Sequence, residues 1–250
     1  MWTRAELKQR AKSVLRYNYW KAFLIGLVIS FASGGGGSGG GGSSSRYATD
    51  FPRTTDTGTI TVVIIMSLLF LLFFLALRIL LGYPLEVGGQ RYFVKSAEDK
   101  DNKKCFSFAF EGQNYNGIVP TMLLRGVFTF LWTLLLIIPG IVKSYAYSMV
   151  PYILGDNPNI GAKRAIELSN EMTYGHKFDM FVLDLSFIGW YLLGALAIGI
   201  GVLFVFPYEY ATKAELYLAL RQIALEHNMC TYEELLLDRP DGDGQDGPYY

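Results

Sequence analysis

The stretch ITVVIIMSLLFLLFFLALRILL, residues 60–81, decides the fold. Its one charge is Arg78, near the end. Crossing a hydrocarbon layer of about 30 Å takes roughly 20 apolar helical residues, because a helix satisfies its own backbone polar groups there. A soluble core helix is seldom this long, and Arg78 can reach the interface along its own stem. The run is therefore read as a transmembrane helix, and the remaining chain is organised around it.

Three further apolar regions flank it. Ile118–Leu154 is divided by Pro139-Gly140, a pair that favours a turn, so a hairpin is expected there. Its second arm, from Ile141, reads as a short span, a re-entrant segment or the continuation of a kinked helix. Phe178–Phe206 contains Asp179 and Asp184, and Gly199-Ile200-Gly201 offers a second turn. Val202–Leu220 then continues apolar with Glu209, Lys213 and Glu215, either as the return arm of a hairpin or as an interfacial helix after one long span. Trp20–Ser33 is the shortest run. Its core, Ala22–Ala32, also resembles a signal peptide, with Ser30-Phe31-Ala32 as a loose cleavage site. Against that, Thr3-Arg4-Ala5-Glu6 is a capping box. Leu7, Ala11, Val14 and Leu15 follow on one face, beside Arg4, Lys8, Arg10, Lys12 and Arg16. The expectation is an amphipathic interfacial helix leading into a span at Tyr19-Trp20.

These runs define an all-α, polytopic membrane bundle of about six transmembrane helices. Residues 1–237 form one membrane-embedded domain and residues 238–250 an acidic tail. Over 250 residues, 51% are apolar and only 18% charged, which excludes a disordered chain and argues against an ordinary soluble enzyme. The 22 basic and 22 acidic residues cancel, so net charge points to no nucleic acid. Cys105 and Cys230 form neither a metal motif nor a disulfide framework. With the N-terminus in the cytoplasm and six spans, eighteen basic residues fall inside, against Arg46, Arg53 and Lys143 outside. This fits the positive-inside rule and puts both termini in the cytoplasm.

Residues 34–58 form a flexible loop whose Gly34–Ser45 segment, GGGGSGGGGSSS, reads as a native low-complexity loop or an engineered linker. Pro84–Ala97 is expected to be helical. Asn157 is placed to cap a helix with Pro158 in its first turn and Ala162, Ala165, Ile166 and Ser169 on one face, ending near Gly175. Thr231-Tyr232-Glu233-Glu234 is a second capping box, expected to open a short helix.

Recognised catalytic motifs are missing, and His176 and His227 have no partner at metal-ligand spacing. No enzyme activity, metal or cofactor is expected. Ionisable residues at membrane depth mark pathways or internal polar clusters, which selects Arg125, Lys143, Asp184, Glu209, Lys213 and Glu215. Glu209 and Lys213 stand four apart, in the favourable order for a helical ion pair. Asp184 and Arg125 are placed to pair near the inner ends of their spans. The aromatic doublets Tyr17–Tyr19, Tyr145–Tyr147 and Tyr208–Tyr210 read as interfacial belts.

Several segments resemble an uncharacterised family of bacterial integral membrane proteins, the domain of unknown function 975. They are Arg4-Ala5-Glu6-Leu7-Lys8, Asn18-Tyr19-Trp20-Lys21, Leu135–Ile141, Tyr147–Tyr152 and Asp156-Asn157-Pro158. The most specific are Leu185-Ser186-Phe187-Ile188-Gly189-Trp190, and Pro207-Tyr208 followed by Ala214-Glu215-Leu216-Tyr217. The resemblance implies a multi-helix membrane domain, distantly similar to the membrane region of some glycerophosphodiester phosphodiesterases, and brings no catalytic residues. The functional expectation is a non-enzymatic protein of the bacterial cytoplasmic membrane. It would transport, sense or organise small or lipid-like molecules, with the lipid bilayer as its surroundings. The alternative is a membrane scaffold or immunity partner of another envelope system. A cluster of Asp184 and Glu215 facing a water-filled cavity would favour the first, and charges all reaching the interface the second.

Overall fold

The computed structural model describes residues 2–32, 57–196 and 201–238. The Gly-rich segment, residues 199 and 200 of the second expected turn, the tail beyond 238 and the side chains of Tyr17 and Asn18 lie outside the described residues. All regular structure among the described residues is helical.

The first helix, α1 (Arg4–Ala32), is uninterrupted. Thr3 Oγ1 accepts the Glu6 N–H at 3.3 Å, as the capping box predicts. Leu7, Ala11, Leu15, Ala22, Gly26 and Ile29 are all buried. Their three- and four-residue spacing keeps one stripe facing inward through both the polar and the apolar half. The amphipathic segment and the apolar segment are thus one continuous helix with a buried stripe along its length.

A second long helical run comprises α2 (Thr57–Leu77), a π-helical turn (Arg78–Gly82) and α3 (Tyr83–Ala97). Every large apolar side chain from Val62 to Leu77 is at least 36% exposed. The α3 segment is the reverse, with Val87, Tyr92, Phe93 and Val94 buried. Pro84 sits in its first turn, where its missing N–H leaves no bond unmade. The π turn widens the backbone, and Tyr115 donates its hydroxyl to the carbonyl of Leu80 at 3.1 Å.

Two short helices and a long one follow: α4 (Cys105–Phe110), α5 (Gly112–Leu135) and α6 (Ile137–Ala146). The hairpin between α5 and α6 forms, but Pro139-Gly140 does not make its turn. Leu136 does, in extended geometry (φ −156°, ψ 135°). Pro139 falls in the first turn of α6, where a missing N–H is harmless. Gly140 serves packing, since a Cβ there would stand 2.6 Å from Thr133 Cα. The return arm is also broken: α6 ends at Ala146, and α7 (Val150–Asp156) starts a separate, fully buried helix. Ten residues of α6 rise only about 15 Å, half of a bilayer core.

The helix after α7 starts later than expected. Asn157 accepts the Asn159 N–H at 2.9 Å in an Asx turn instead of capping a helix. Gly161, at φ 92°, precedes α8 (Ala162–Met172), which buries Ala165, Ile166 and Ser169 as its pattern predicts. The fold closes with α9 (Lys177–Leu196) and α10 (Gly201–Glu226), where Gly194 and Gly201 allow backbone contact. Thr231 Oγ1 accepts the Glu234 N–H at 3.1 Å, but residues 232–236 form turns rather than a helix.

Three helical stretches are long and apolar enough to cross a membrane: Thr61–Ala97, Gly112–Leu135 and Lys177–Leu196. Tyr19–Ser30 is a shorter apolar stretch within α1. Large apolar side chains are exposed at the tips, with Leu134 at 75%, Ile138 at 76% and Leu196 at 88%. The opposite end is close-packed, with α3, α4, α7 and α8 joined to the C-terminal half of α10, and α3 also packs on the apolar half of α1, where Gly89 meets Ile25 and Ile29.

Candidate functional site

Where the packed end meets the apolar end, three of the residues selected from the sequence converge. Glu209 and Lys213 lie one turn apart on α10, with Lys213 Nζ 2.6 Å from Glu209 Oε1. The same ammonium is 3.4 Å from Asp184 Oδ1 on α9. Two tyrosines cap the carboxylates. Tyr145 of α6 donates its hydroxyl to Asp184 Oδ2 at 3.0 Å, and Tyr191 of α9 donates to Glu209 Oε2. The Tyr152 hydroxyl of α7 is buried without a hydrogen-bond partner among the described residues. Sequence pattern marks Tyr145 only as a belt residue and Tyr191 not at all, because a capping role depends on helix neighbours that periodicity does not reveal.

The other three selected residues go elsewhere. Arg125 on α5 binds Glu86 of α3 at 3.3 Å, so the expected pairing with Asp184 does not form. Glu86, within the helix expected at Pro84–Ala97, is the buried acid that claims it. Lys143 of α6 lies over the rings of Trp132, 5.2 Å away, and Tyr147, 5.7 Å away. Glu215 lies two residues beyond Lys213, about 200° around the helix, and so faces away from the centre. It is buried in the wall of a separate open groove of about 1320 Å³, together with Trp2, Arg10, Asp101 and Gln222. No joint cluster of Asp184 and Glu215 exists among the described residues.

A second network, unforeseen from the sequence, ties the packed end together. Arg221 on α10 binds Asp156 at 2.8 Å, and the Tyr217 hydroxyl donates to the same carboxylate oxygen at 2.7 Å. Arg221 also pairs with Glu98 at the end of α3, which is joined by Lys95 and Lys100 at 3.5 Å each. Burial disfavours the Glu98 carboxylate. The hydrogen bond and charge of Arg221, with both lysines, outweigh it and hold the pKa below the usual range. Further along, Arg164 Nε is 2.6 Å from Glu234 Oε1 and its Nη2 donates to Met229 O at 2.7 Å, fastening the last turns to α8. The Arg164 hydrogen bond also lowers the pKa of Glu234.

No group of three metal-ligating side chains occurs among the described residues. The His227 ring approaches the Ile223 carbonyl, and His176 lies against Trp2. Both free thiols are buried. Burial raises the pKa of Cys105, and burial together with Glu234 pushes that of Cys230 up to about 11.

An all-helical chain with three membrane-length helices and a charged centre between two of its hairpins belongs to the membrane-protein class by composition and length. Within it, residues 121–224 are similar to a family described as a protein of unknown function (DUF975). This match runs from α5 to α10 and contains Tyr145, Asp184, Tyr191, Glu209 and Lys213. The N-terminal segments Arg4–Lys8 and Asn18–Lys21 lie outside it. No curated protein and no solved structure matches the chain.

Proposed function

We propose that the chain is a non-enzymatic, multi-pass protein of a bacterial cytoplasmic membrane that transports or senses a small or lipid-like molecule through its centre at Lys213. The observation carrying this reading is Lys213 held between Glu209 and Asp184, with a tyrosine on each acid. Charges at membrane depth are costly and are retained chiefly for function. One base between two acids leaves a formal charge of −1 when all three are ionised, so uptake of a proton or a small cation neutralises the centre. Exchange of Lys213 between its two carboxylates supplies two states that such uptake would bias.

In this reading six helical segments enter the bilayer: the apolar half of α1, α2, the α5–α6 hairpin and the α9–α10 hairpin. Both termini are cytoplasmic, which the distribution of basic residues supports. The short α6 makes its hairpin a partial insertion, which leaves the even topology unchanged.

The test is proton flux into vesicles that contain a pH-sensitive dye. Purified protein should collapse an imposed gradient faster than empty vesicles do, and Asp184→Asn or Glu209→Gln should return the rate to that of empty vesicles. Wild-type protein no faster than empty vesicles, or variants as fast as wild type, would refute proton coupling at this centre.

A second reading, a membrane scaffold without a path, draws on one specific observation. Among the described residues, Lys213, Glu209 and Asp184 line neither the groove nor the smaller cavity beside α5. An ion cluster that only fixes helix packing should tolerate joint replacement by apolar residues of similar volume. A stable Asp184→Leu/Glu209→Leu/Lys213→Met variant that retains its cellular role would favour the scaffold.

A further inference from the structure

The basic residues of α1 are distributed unevenly. Arg4, Lys8, Lys12 and Arg16 recur every fourth position and so share one face. The one carboxylate on this helix, Glu6, is taken by Arg10 at 2.6 Å. None of the four stripe residues makes an ion pair among the described residues. Four like charges along one face repel one another and attract an anion from outside the chain.

Two of the four are held in place. Lys8 Nζ donates to Ser186 Oγ on α9 at 2.6 Å and lies 4.5 Å from the Phe187 ring centroid. Ser186 in turn donates its hydroxyl to Leu183 O, so it orients Lys8 and leaves two ammonium protons unused. Lys12 lies 5.8 Å from the Tyr208 ring on α10. Burial, and then the charges of Arg4 and Lys12, lower the pKa of Lys8, as expected of a cation lacking its counter-ion.

Apolar surface continues directly from these two lysines. Because α10 packs against both α1 and α9, side chains of the three helices adjoin along one surface. Tyr208 meets Trp190 of α9 edge-on at 6.4 Å, and Phe204 stacks on Phe23 of α1 at 5.1 Å. Trp190, Leu193 and Phe204 are exposed. From Lys12 to Phe23 the helix rises about 16 Å, close to the length of an acyl chain.

We propose that this surface binds one anionic phospholipid, its phosphate held by Lys8 and Lys12 and its acyl chain lying over Tyr208, Trp190 and Phe204. The site is independent of the Lys213 centre and stands whether or not that centre carries anything.

The test uses the full chain in phosphatidylcholine vesicles, with Trp2→Phe, Trp20→Phe and Trp132→Phe leaving Trp190 as the sole indole. A minor fraction of lipid brominated on its acyl chains is either phosphatidylglycerol or phosphatidylcholine. Brominated phosphatidylglycerol should quench Trp190 at lower mole fraction, with a preference of about fivefold for each lysine engaged. Lys8→Gln/Lys12→Gln should bring the preference to unity, and Lys8→Arg/Lys12→Arg should keep it. Inorganic phosphate in the buffer should leave it unchanged. Equal quenching by both lipids in the lysine-bearing protein would overturn the proposal. A preference surviving Lys8→Gln/Lys12→Gln, or abolished by inorganic phosphate, would do so as well.

Discussion

Asp156 and Asp184 are both acids bound to a base and a tyrosine, yet they differ in surroundings. The Asp156 side chain is 2% exposed and Arg221 12%, whereas Asp184 and Lys213 are 33% and 30% exposed. Removing one partner of a buried pair leaves an uncompensated charge and costs about 3–5 kcal/mol. Asp156→Asn should therefore lower the melting temperature of the detergent-solubilised protein far more than Asp184→Asn, which should act chiefly on flux. Acid should loosen the Arg164–Glu234 clasp in a defined direction. The folded-state pKa of Glu234 lies below its ordinary 4.5, so the unfolded chain takes up the proton first as pH falls. That contribution is complete above 4.5 and is lost as pH drops through the folded value. Melts across this range should show the decline, and Glu234→Gln should flatten part of it. At this scale the sequence was only partly legible. The four-residue spacing of Glu209 and Lys213 announced their pair, whereas grouping Asp184 with Glu215 overlooked the helical geometry that puts Glu215 on another face. The Arg125–Glu86 and Arg221–Asp156 pairs join residues 39 and 65 positions apart, a relation that no local spacing encodes.

Among the helices, long apolar stretches were legible and their ends were not. Residues 60–81 announced α2 because nothing but a helix fits such a run in lipid. The α5–α6 turn misled because Pro and Gly each have two uses. Proline suits the first turn of a helix as well as a loop, and glycine permits close packing as well as bending. The two uses are separable by mutation. Pro139→Ala should be nearly neutral, since Leu136 makes the turn. Gly140→Val should cost about 1–3 kcal/mol by forcing a side chain into Thr133. Thermal melts of the two variants compare them directly, and the reverse order would put the turn back at Pro139. The exposed part of α5 from Leu123 to Leu136 rises about 20 Å, short of a full crossing. A cysteine at position 136 should therefore resist a membrane-impermeant maleimide applied to either side of sealed vesicles. Labelling from the side opposite the N-terminus would instead mean that the hairpin crosses completely.

As a whole, the molecule has two ends built by different rules. One is close-packed and laced with ion pairs; the other exposes Leu, Ile, Val and Phe on α2 and on both hairpin tips. Monomeric soluble proteins rarely show apolar patches above a few hundred Å², and a helix bare on every side is stable only where its surroundings are apolar too. This division was foreshadowed by the long apolar runs and the charged segments between them. The depth reached by the α5–α6 hairpin was not, because it depends on the breaks at Leu136 and after Ala146. The direct measurement is size-exclusion chromatography of the purified protein, with and without detergent or a lipid nanodisc. If α2 and the hairpin tips lie in lipid, the protein will be monodisperse only with an apolar host and will aggregate when that host is removed. A monodisperse, folded monomer in plain buffer would contradict the membrane assignment and everything derived from it.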